Sequence, residues 1–117
     1  MAIQVTRNGR TLWPECETAF TLLRKMRGIA FKSRFAPLLF DFGTEGTARN
    51  AIHSFFCAPF DAVFLDSAKK VVDVIPDVRP WRPWIVSKKS ARYLIEAPAG
   101  DARRLGVKEG DSLEWIQ

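Results

Sequence analysis

The residues best suited to chemistry lie between positions 51 and 66. This segment holds the only histidine of the chain, His53, one of its two cysteines, Cys57, and an aspartate, Asp61. The three residues are spaced by four, and on a helix that spacing would place a base, a nucleophile and a carboxylate on one face. On a strand, residues four apart are separated by about 13 Å, which is beyond hydrogen-bond reach. We therefore expect no catalytic triad within the segment if it is extended.

His53 could still act together with a carboxylate from another strand. A histidine held by Asp41 or Asp61 would be a candidate general base. A lone histidine in an apolar strand is more commonly a packed core residue, and Asp61 and Asp66 also fit a role in bonding turn backbone at the strand ends. A small hydrolase-like enzyme with His53 and Asp61 as catalytic candidates is thus the alternative, and we expect a non-enzymatic protein.

A second segment, residues 79–84, has the composition of a binding loop. Its sequence is RPWRPW, and Lys88 and Lys89 follow it, so two tryptophans and two prolines lie beside four cations. Indoles stack on nucleobases, sugar faces or partner side chains, and arginine can contact phosphate. The predicted ligand-binding residues are Trp81, Arg82, Trp84, Arg79 and His53. The alternative is that both indoles cover the open end of a sheet beneath the arginine side chains.

The sequence shows no spacing typical of a metal site. Cys16 and Cys57 lie far apart and form no CxxC pair, so we expect partly buried thiols. Nothing in the pattern indicates a cofactor, and we predict neither a cofactor nor a metal.

Composition bounds the class of protein. The 117 residues are 47% hydrophobic and 26% charged, which is typical of one globular domain covering residues 1–117. No apolar run approaches the roughly 20 residues of a membrane-spanning helix, and the first residues do not resemble a secretory signal, so the expected location is cytoplasmic. The net charge of +5 favours approach to polyanions. A small polar ligand or a protein partner fits this composition, with nucleic acid as a further candidate and the oligomeric state left open.

Alternating apolar residues predict a mainly β domain. Residues 3–7 and the dipeptide Asn8-Gly9 predict a tight hairpin into a second strand that ends at Pro14. Residues 52–57 are apolar on both faces, which indicates a central strand. Pro76, Pro80 and Pro83 predict a loop or an edge. Further strands are predicted at residues 38–42, 60–65, 70–75, 91–97 and 112–116.

Two helical segments are predicted. A change of period indicates a short amphipathic helix near residues 18–28 with Thr18 as its cap, and Asp101 would cap a short helical turn near residues 101–105. The basic side of the first helix is either a phosphate-binding face or a solvated face near a helix carboxyl end. The expected architecture is a compact antiparallel β-sandwich or barrel-like domain.

Several short motifs together resemble a known family. In chain order they are MRGIAF at 26–31, PLLFDF at 37–42, IHSFF at 52–56, PFDAVFLD at 59–66, KVVDV at 70–74, YLIEAPAG at 93–100 and GD at 110–111. This order resembles domain-of-unknown-function family 192 of bacteria and archaea over about residues 16–116. The resemblance implies a compact β domain with a short helix and no established reaction, cofactor or partner. The family usually has methionine where this chain has Ala30 and Ser54, so a thioether metal site is not expected.

Overall fold

The computed structural model describes residues 2–19, 37–47, 51–52, 54 and 59–116. The prediction of a mainly β protein with a short helical turn at residues 101–105 is confirmed. The elements are β1 (Ala2–Arg7), β2 (Arg10–Ala19), β3 (Leu38–Gly46), β4 (Phe60–Leu65), β5 (Val71–Val78), β6 (Ala91–Pro98), α1 (Asp101–Leu105) and β7 (Glu114–Ile116). Within these ranges no helix is long and apolar enough to cross a membrane.

The strands form one open seven-stranded sheet in the order β5-β4-β6-β3-β2-β1-β7. Neighbouring strands are antiparallel except β2 and β3, which run parallel with Glu17 opposite Leu38. An isolated bridge joins Lys70, next to β5, to Ser112, just before β7. The Val71 N–H also donates to the Asp111 carbonyl at 2.8 Å. These contacts tie the two edges of the sheet together at one end, which gives it a barrel-like curl.

The second strand passes through Pro14 and continues to Ala19. Its register on β1 shifts by one residue between Trp13 and Cys16, so that Pro14 and Glu15 together oppose one residue of β1. A proline is tolerated at such a bulge because no ladder donor is needed there. The prediction that Pro14 ends the strand is therefore wrong. Because β2 includes Thr18 and Ala19, the predicted helix cannot begin at residue 18, and residues 20–28 lie outside the described part of the chain.

The sheet carries an apolar core on each face, and the side chains of β4 alternate between the two cores. Phe60, Ala62 and Phe64 pack into one cluster, and Val63 and Leu65 pack into another. The first core collects buried side chains from both ends of the sheet and from α1, including Val5, Trp13, Leu39, Ile95, Ala102 and Leu113. The second core lies on the opposite face of β3, β4, β5 and β6, and includes Phe40, Phe60, Phe64, Val78, Ile85 and Leu94. Because β4 is buried on both faces, its side chains contribute to both cores.

The segment predicted as a central strand at residues 52–57 does not join the sheet at its described positions. Ile52 forms one isolated antiparallel bridge to Ile85, and Ser54 has no strand partner. Both isoleucines pack on the second core, Ile85 fully buried and Ile52 partly so. A segment lying on an apolar sheet face shows the same two-sided apolar pattern as a central strand, which explains the misplacement. His53 and residues 55–58 are outside the described residues.

Asp61 joins β4 to two neighbouring segments. Its side chain is buried, and its carboxylate accepts three backbone hydrogen bonds, Oδ1 from the Asp77 N–H at 2.8 Å and Oδ2 from the N–H groups of Gly100 and Ala102 at 3.1 and 2.9 Å. Asp77 lies in a bulge of β5, and Gly100 and Ala102 lie at the start of α1. Asp61 thus supplies acceptors for helix donors that α1 leaves unpaired.

The predicted roles of three aspartates can be compared with these contacts. Asp61 and Asp66 bond turn backbone as predicted, since Asp66 Oδ1 accepts from the N–H groups of Ala68 and Lys70 at 2.9 and 3.0 Å. Asp101 does not cap α1. Gly100 occupies the cap position, and Asp101 instead accepts a hydrogen bond from the Trp13 indole at 3.0 Å.

Asp61 and Asp66 provide a matched test of how much the buried Asp61 carboxylate stabilises the fold. Asp61→Asn replaces one accepting oxygen with an amide group, and at least one backbone N–H loses its partner, so we expect a loss of about 1–3 kcal/mol in the free energy of unfolding. Asp66→Asn is the control, because both of its hydrogen bonds go to Oδ1, which asparagine retains. Urea denaturation at neutral pH measures both, and similar losses in the two variants would contradict the proposed role of Asp61.

Candidate functional site

The candidate site is the segment 79–84, hereafter the aromatic loop, which connects β5 to the buried Ile85. The side chains of Trp81 and Trp84 are each 60% exposed, whereas Ile85 is 1% exposed. The second core is therefore covered by Ile85, and the two indoles are turned towards solvent. This differs from the alternative in which the indoles cover the end of the sheet.

The buried Ser54 holds the backbone of the aromatic loop through hydrogen bonds. Its side chain is fully buried, and its Oγ donates to the Arg79 carbonyl at 2.7 Å while accepting from the Arg82 N–H at 2.8 Å. The Ser54 N–H donates to the Arg82 carbonyl at 2.9 Å, and the Trp81 N–H donates to the Ser54 carbonyl at 3.1 Å. One buried residue thus makes four hydrogen bonds to the loop backbone. Composition identified the loop, but this distant anchor has no signal in the sequence.

Further constraints restrict the loop backbone. The bridge between Ile52 and Ile85 consists of two N–H···O bonds of 2.9 Å, which hold the carboxyl end of the loop. Pro80 and Pro83 fix their own φ angles. Trp81 has φ of +71°, a left-handed conformation that is costly for a bulky residue and persists only where its surroundings enforce it. The loop therefore presents its indoles from a defined backbone.

Two of the four predicted cations have acidic partners. Arg79 Nη1 lies 3.3 Å from Asp77 Oδ1, and both side chains are largely exposed. Lys88 pairs with Glu109, and this hydrogen bond raises the pKa of Lys88 and lowers the pKa of Glu109. Exposed pairs of this kind contribute little stability, so an anionic ligand could replace the carboxylate at low cost.

The other two cations leave the loop with an excess of positive charge. Arg82 and Lys89 are exposed, and neither forms an ion pair with any described residue. The carboxylate of Asp73 is buried and accepts the Lys88 N–H at 3.0 Å. Of the two cations within the loop, Arg79 is thus paired with the exposed Asp77, and Arg82 has no ion-pair partner among the described residues.

The residues proposed for catalysis are not assembled in the part of the chain that can be described. His53 lies outside it, so a reaction at His53 stays a prediction. Asp61 is bonded to three backbone amides, and Asp41 accepts from Arg92 Nε at 3.1 Å and from the Gly43 N–H at 2.8 Å. The contact with Asp41 raises the pKa of Arg92. Among the described residues, no three histidine, cysteine, aspartate or glutamate side chains are grouped to hold a metal ion.

The Cys16 thiol is held in its protonated form. Cys16 is buried and forms no disulfide. Burial, and to a lesser extent the charge of Glu17, raises its pKa to about 12. A thiol with such a pKa is a poor nucleophile at neutral pH. Cys57, the other cysteine, is not among the described residues.

Glu96 is a buried acid that the sequence analysis did not single out. It lies in β6 opposite Leu38 and Ala62, on the face of the second core, and burial raises its pKa to about 8. At neutral pH its carboxyl group is mostly protonated, because the charged form would be poorly solvated there. An acidic residue within the apolar strand YLIEAP was the signal in the sequence.

The pKa of Glu96 predicts a pH-dependent stability. The unfolded chain releases this proton near pH 4.5, whereas the folded chain keeps it up to about pH 8. The Glu96 contribution to stability is therefore fully present below pH 4.5 and falls as the pH rises to about 8, at up to about 1.4 kcal/mol per pH unit. Glu96→Gln should remove this fall, so that the variant is the more stable protein at about pH 9.

Urea denaturation across this pH range measures the effect. Glu15→Gln, at an exposed position in β2, is the matched control and should keep the parent slope. A parent and a Glu96→Gln variant with parallel stability curves would refute the assignment of a raised pKa to Glu96.

The anchoring role of Ser54 can be tested with a second serine as control. Ser54→Ala leaves the Arg82 N–H and the Arg79 carbonyl without their partner, and we expect a loss of about 1–3 kcal/mol in unfolding free energy. Ser87→Ala is the control, because the buried Ser87 accepts one longer bond of 3.3 Å from the Lys89 N–H. Amide hydrogen exchange should show faster exchange at Trp81 and Arg82 only in Ser54→Ala, and unchanged exchange there would contradict the anchor.

Comparisons with known proteins place almost the whole chain in one family. The model of the family described as "Uncharacterized ACR", domain-of-unknown-function family 192, matches residues 3–115. A UPF0127 protein of Pyrococcus abyssi is 36% identical over 118 residues, covering 99% of both chains. A UPF0127 protein of Thermococcus gammatolerans is 38% identical over 117 residues, covering 98% of this chain and 74% of its own.

Two crystal structures share the fold. A protein of Sinorhizobium meliloti described as a "putative transcription regulator" superimposes with a TM-score of 0.83 at 26% identity, covering 97% of this chain and 91% of its own. A protein of unknown function from Novosphingobium aromaticivorans superimposes with a TM-score of 0.83 at 21% identity, covering 98% and 84%. The second likeness concerns the fold alone.

Proposed function

The chain belongs to domain-of-unknown-function family 192, and from that premise we propose that it is a non-enzymatic binding module whose aromatic loop holds an anionic ligand. The names of the relatives state no activity, so the support comes from the geometry of the loop. One observation carries the proposal: two indoles, each 60% exposed, project from a backbone that the buried Ser54 fixes with four hydrogen bonds.

Exposed indoles on a fixed loop are suited to binding. Burying a large apolar side chain contributes about 1.5–3 kcal/mol, and Trp81 and Trp84, each 60% exposed, can still gain part of this free energy. Aromatic residues and arginine commonly dominate binding energy at interfaces. Because the backbone is already ordered, little conformational entropy is lost when a ligand contacts the loop.

The charges around the loop favour an anion. Arg82 forms no ion pair with any described residue, and the net charge of +5 attracts anions from a distance. A cytoplasmic location, a protein partner and a hydrolase-like reaction at His53 stay predictions from the sequence.

Heparin, a polyanion without aromatic rings, is a suitable probe of the charge component. Arg82→Ala should weaken its binding by about 5-fold, as expected from the loss of about 1 kcal/mol at a direct contact. Arg103→Ala removes the same charge from α1, whose buried residue Ala102 packs in the first core on the other face of the sheet, and should have a much smaller effect. Titration by intrinsic fluorescence measures both affinities. Equal weakening would show that only net charge matters and would refute the loop as the site.

A further inference from the structure

Resting on the proposed function, we propose that the anionic ligand of the aromatic loop is single-stranded nucleic acid. Its bases stack on Trp81 and Trp84, and its phosphates contact the cations of the same loop. This assigns a ligand class to the site, and four features of the loop support it.

The first feature is a tandem repeat. Residues 79–81 and 82–84 both read Arg-Pro-Trp, so one cation and one indole occur twice in succession. A repeated site suits a repeated ligand. In a single strand of nucleic acid, each unit carries one phosphate charge and one flat ring, which matches one cation and one stacking surface for each copy of the repeat.

The second feature is the hydrogen-bonding capacity of the side chains. Residues 79–90, RPWRPWIVSKKS, include arginine, lysine, serine and tryptophan but no carboxylate or carboxamide side chain. Sugar hydroxyls both donate and accept, so a site for a neutral sugar needs strong acceptors beside its aromatic rings. Phosphodiesters only accept, and the guanidinium and ammonium groups of residues 79–90 only donate. The ligand that satisfies this segment is therefore rich in acceptors.

The third feature is the exposure of both indoles. A polyanion without rings would contact the cations and leave Trp81 and Trp84 in water. Nucleobases stack on such rings whatever their identity, with about 1–3 kcal/mol per base. In a duplex the base faces are already stacked on one another, so the geometry favours an unpaired strand.

The fourth feature is the weakness of the acidic competition. The pair between Arg79 and Asp77 is solvent-exposed, with side chains 68% and 60% accessible. A phosphate can replace the Asp77 carboxylate on Arg79 without uncovering a buried charge. Arg79 and Arg82, one cation in each copy of the repeat, are thus available for successive phosphates.

Anisotropy of a labelled oligodeoxythymidine of about 10 nucleotides tests the inference with the full chain at about 50 mM salt. We expect wild-type protein to bind it and Trp81→Ala/Trp84→Ala to bind at least about 10-fold more weakly. An abasic oligonucleotide of equal length keeps the phosphates and lacks the rings, and it should bind wild-type protein as weakly as oligodeoxythymidine binds the double variant. Thermal unfolding checks the fold, and Trp81→Phe/Trp84→Phe, which keeps a stacking ring at both positions, should retain part of the affinity.

The outcomes separate this inference from the function on which it rests. Equal binding of the abasic and thymidine strands, or an unchanged affinity of the folded double variant, overturns the inference. If Arg82→Ala still weakens heparin binding more than Arg103→Ala does, the aromatic loop remains the anion-binding site even though its ligand is not single-stranded nucleic acid. Tighter binding of a duplex than of the single strand also overturns the inference. Displacement of the oligonucleotide by an acidic tyrosine-rich peptide of higher affinity overturns it as well, and indicates a protein partner.

Discussion

The buried carboxylate of Asp61 is the constraint on which the arrangement of the other elements depends. A buried charge is unfavourable unless polar groups surround it, and here three backbone N–H groups do so. Those donors belong to a bulge of the edge strand β5 and to the first turn of α1, neither of which can satisfy them internally. One side chain therefore fixes a central strand, an edge strand and a helix relative to one another. Asp61 also holds Asp77, which lies one residue before the end of β5 and two before the aromatic loop begins.

The second core sets where the loop ends. The outer face of β3, β4, β5 and β6 is apolar and must be covered, and Ile85 with Ile52 covers part of it. The bridge between these two residues brings Ser54 beneath the loop. Ser54 is fully buried, so its hydroxyl requires partners, and the backbone of the loop supplies them. The Ser54 hydroxyl and the loop backbone thus satisfy each other's hydrogen-bonding groups.

Local patterns predicted the strands, because the two-residue alternation of a half-buried strand and the turn signal of Asn8-Gly9 are contained in neighbouring residues. They did not predict the bulge at Pro14, which depends on pairing with β1, or the strand order, which depends on long connections. The apolar segment that includes Ile52 could not be assigned correctly, since an added strand and a segment lying on a sheet face bury the same residues. For the site, composition identified Trp81 and Trp84, whereas their anchor on Ser54 is 25 or more residues away in sequence.

The number of constraints on the aromatic loop bears on its purpose. Ile85 packs in the second core at the end of the loop, and the loop backbone is further restricted by four hydrogen bonds to Ser54, by two prolines and by the left-handed conformation of Trp81. A loop that served only as a connection would gain nothing from a conformation that is strained for tryptophan. Order imposed before binding does have a benefit at a recognition site, where each side chain immobilised on binding costs about 0.5–1.5 kcal/mol. The strain at Trp81 therefore fits the proposal that the loop presents its two indoles to a ligand.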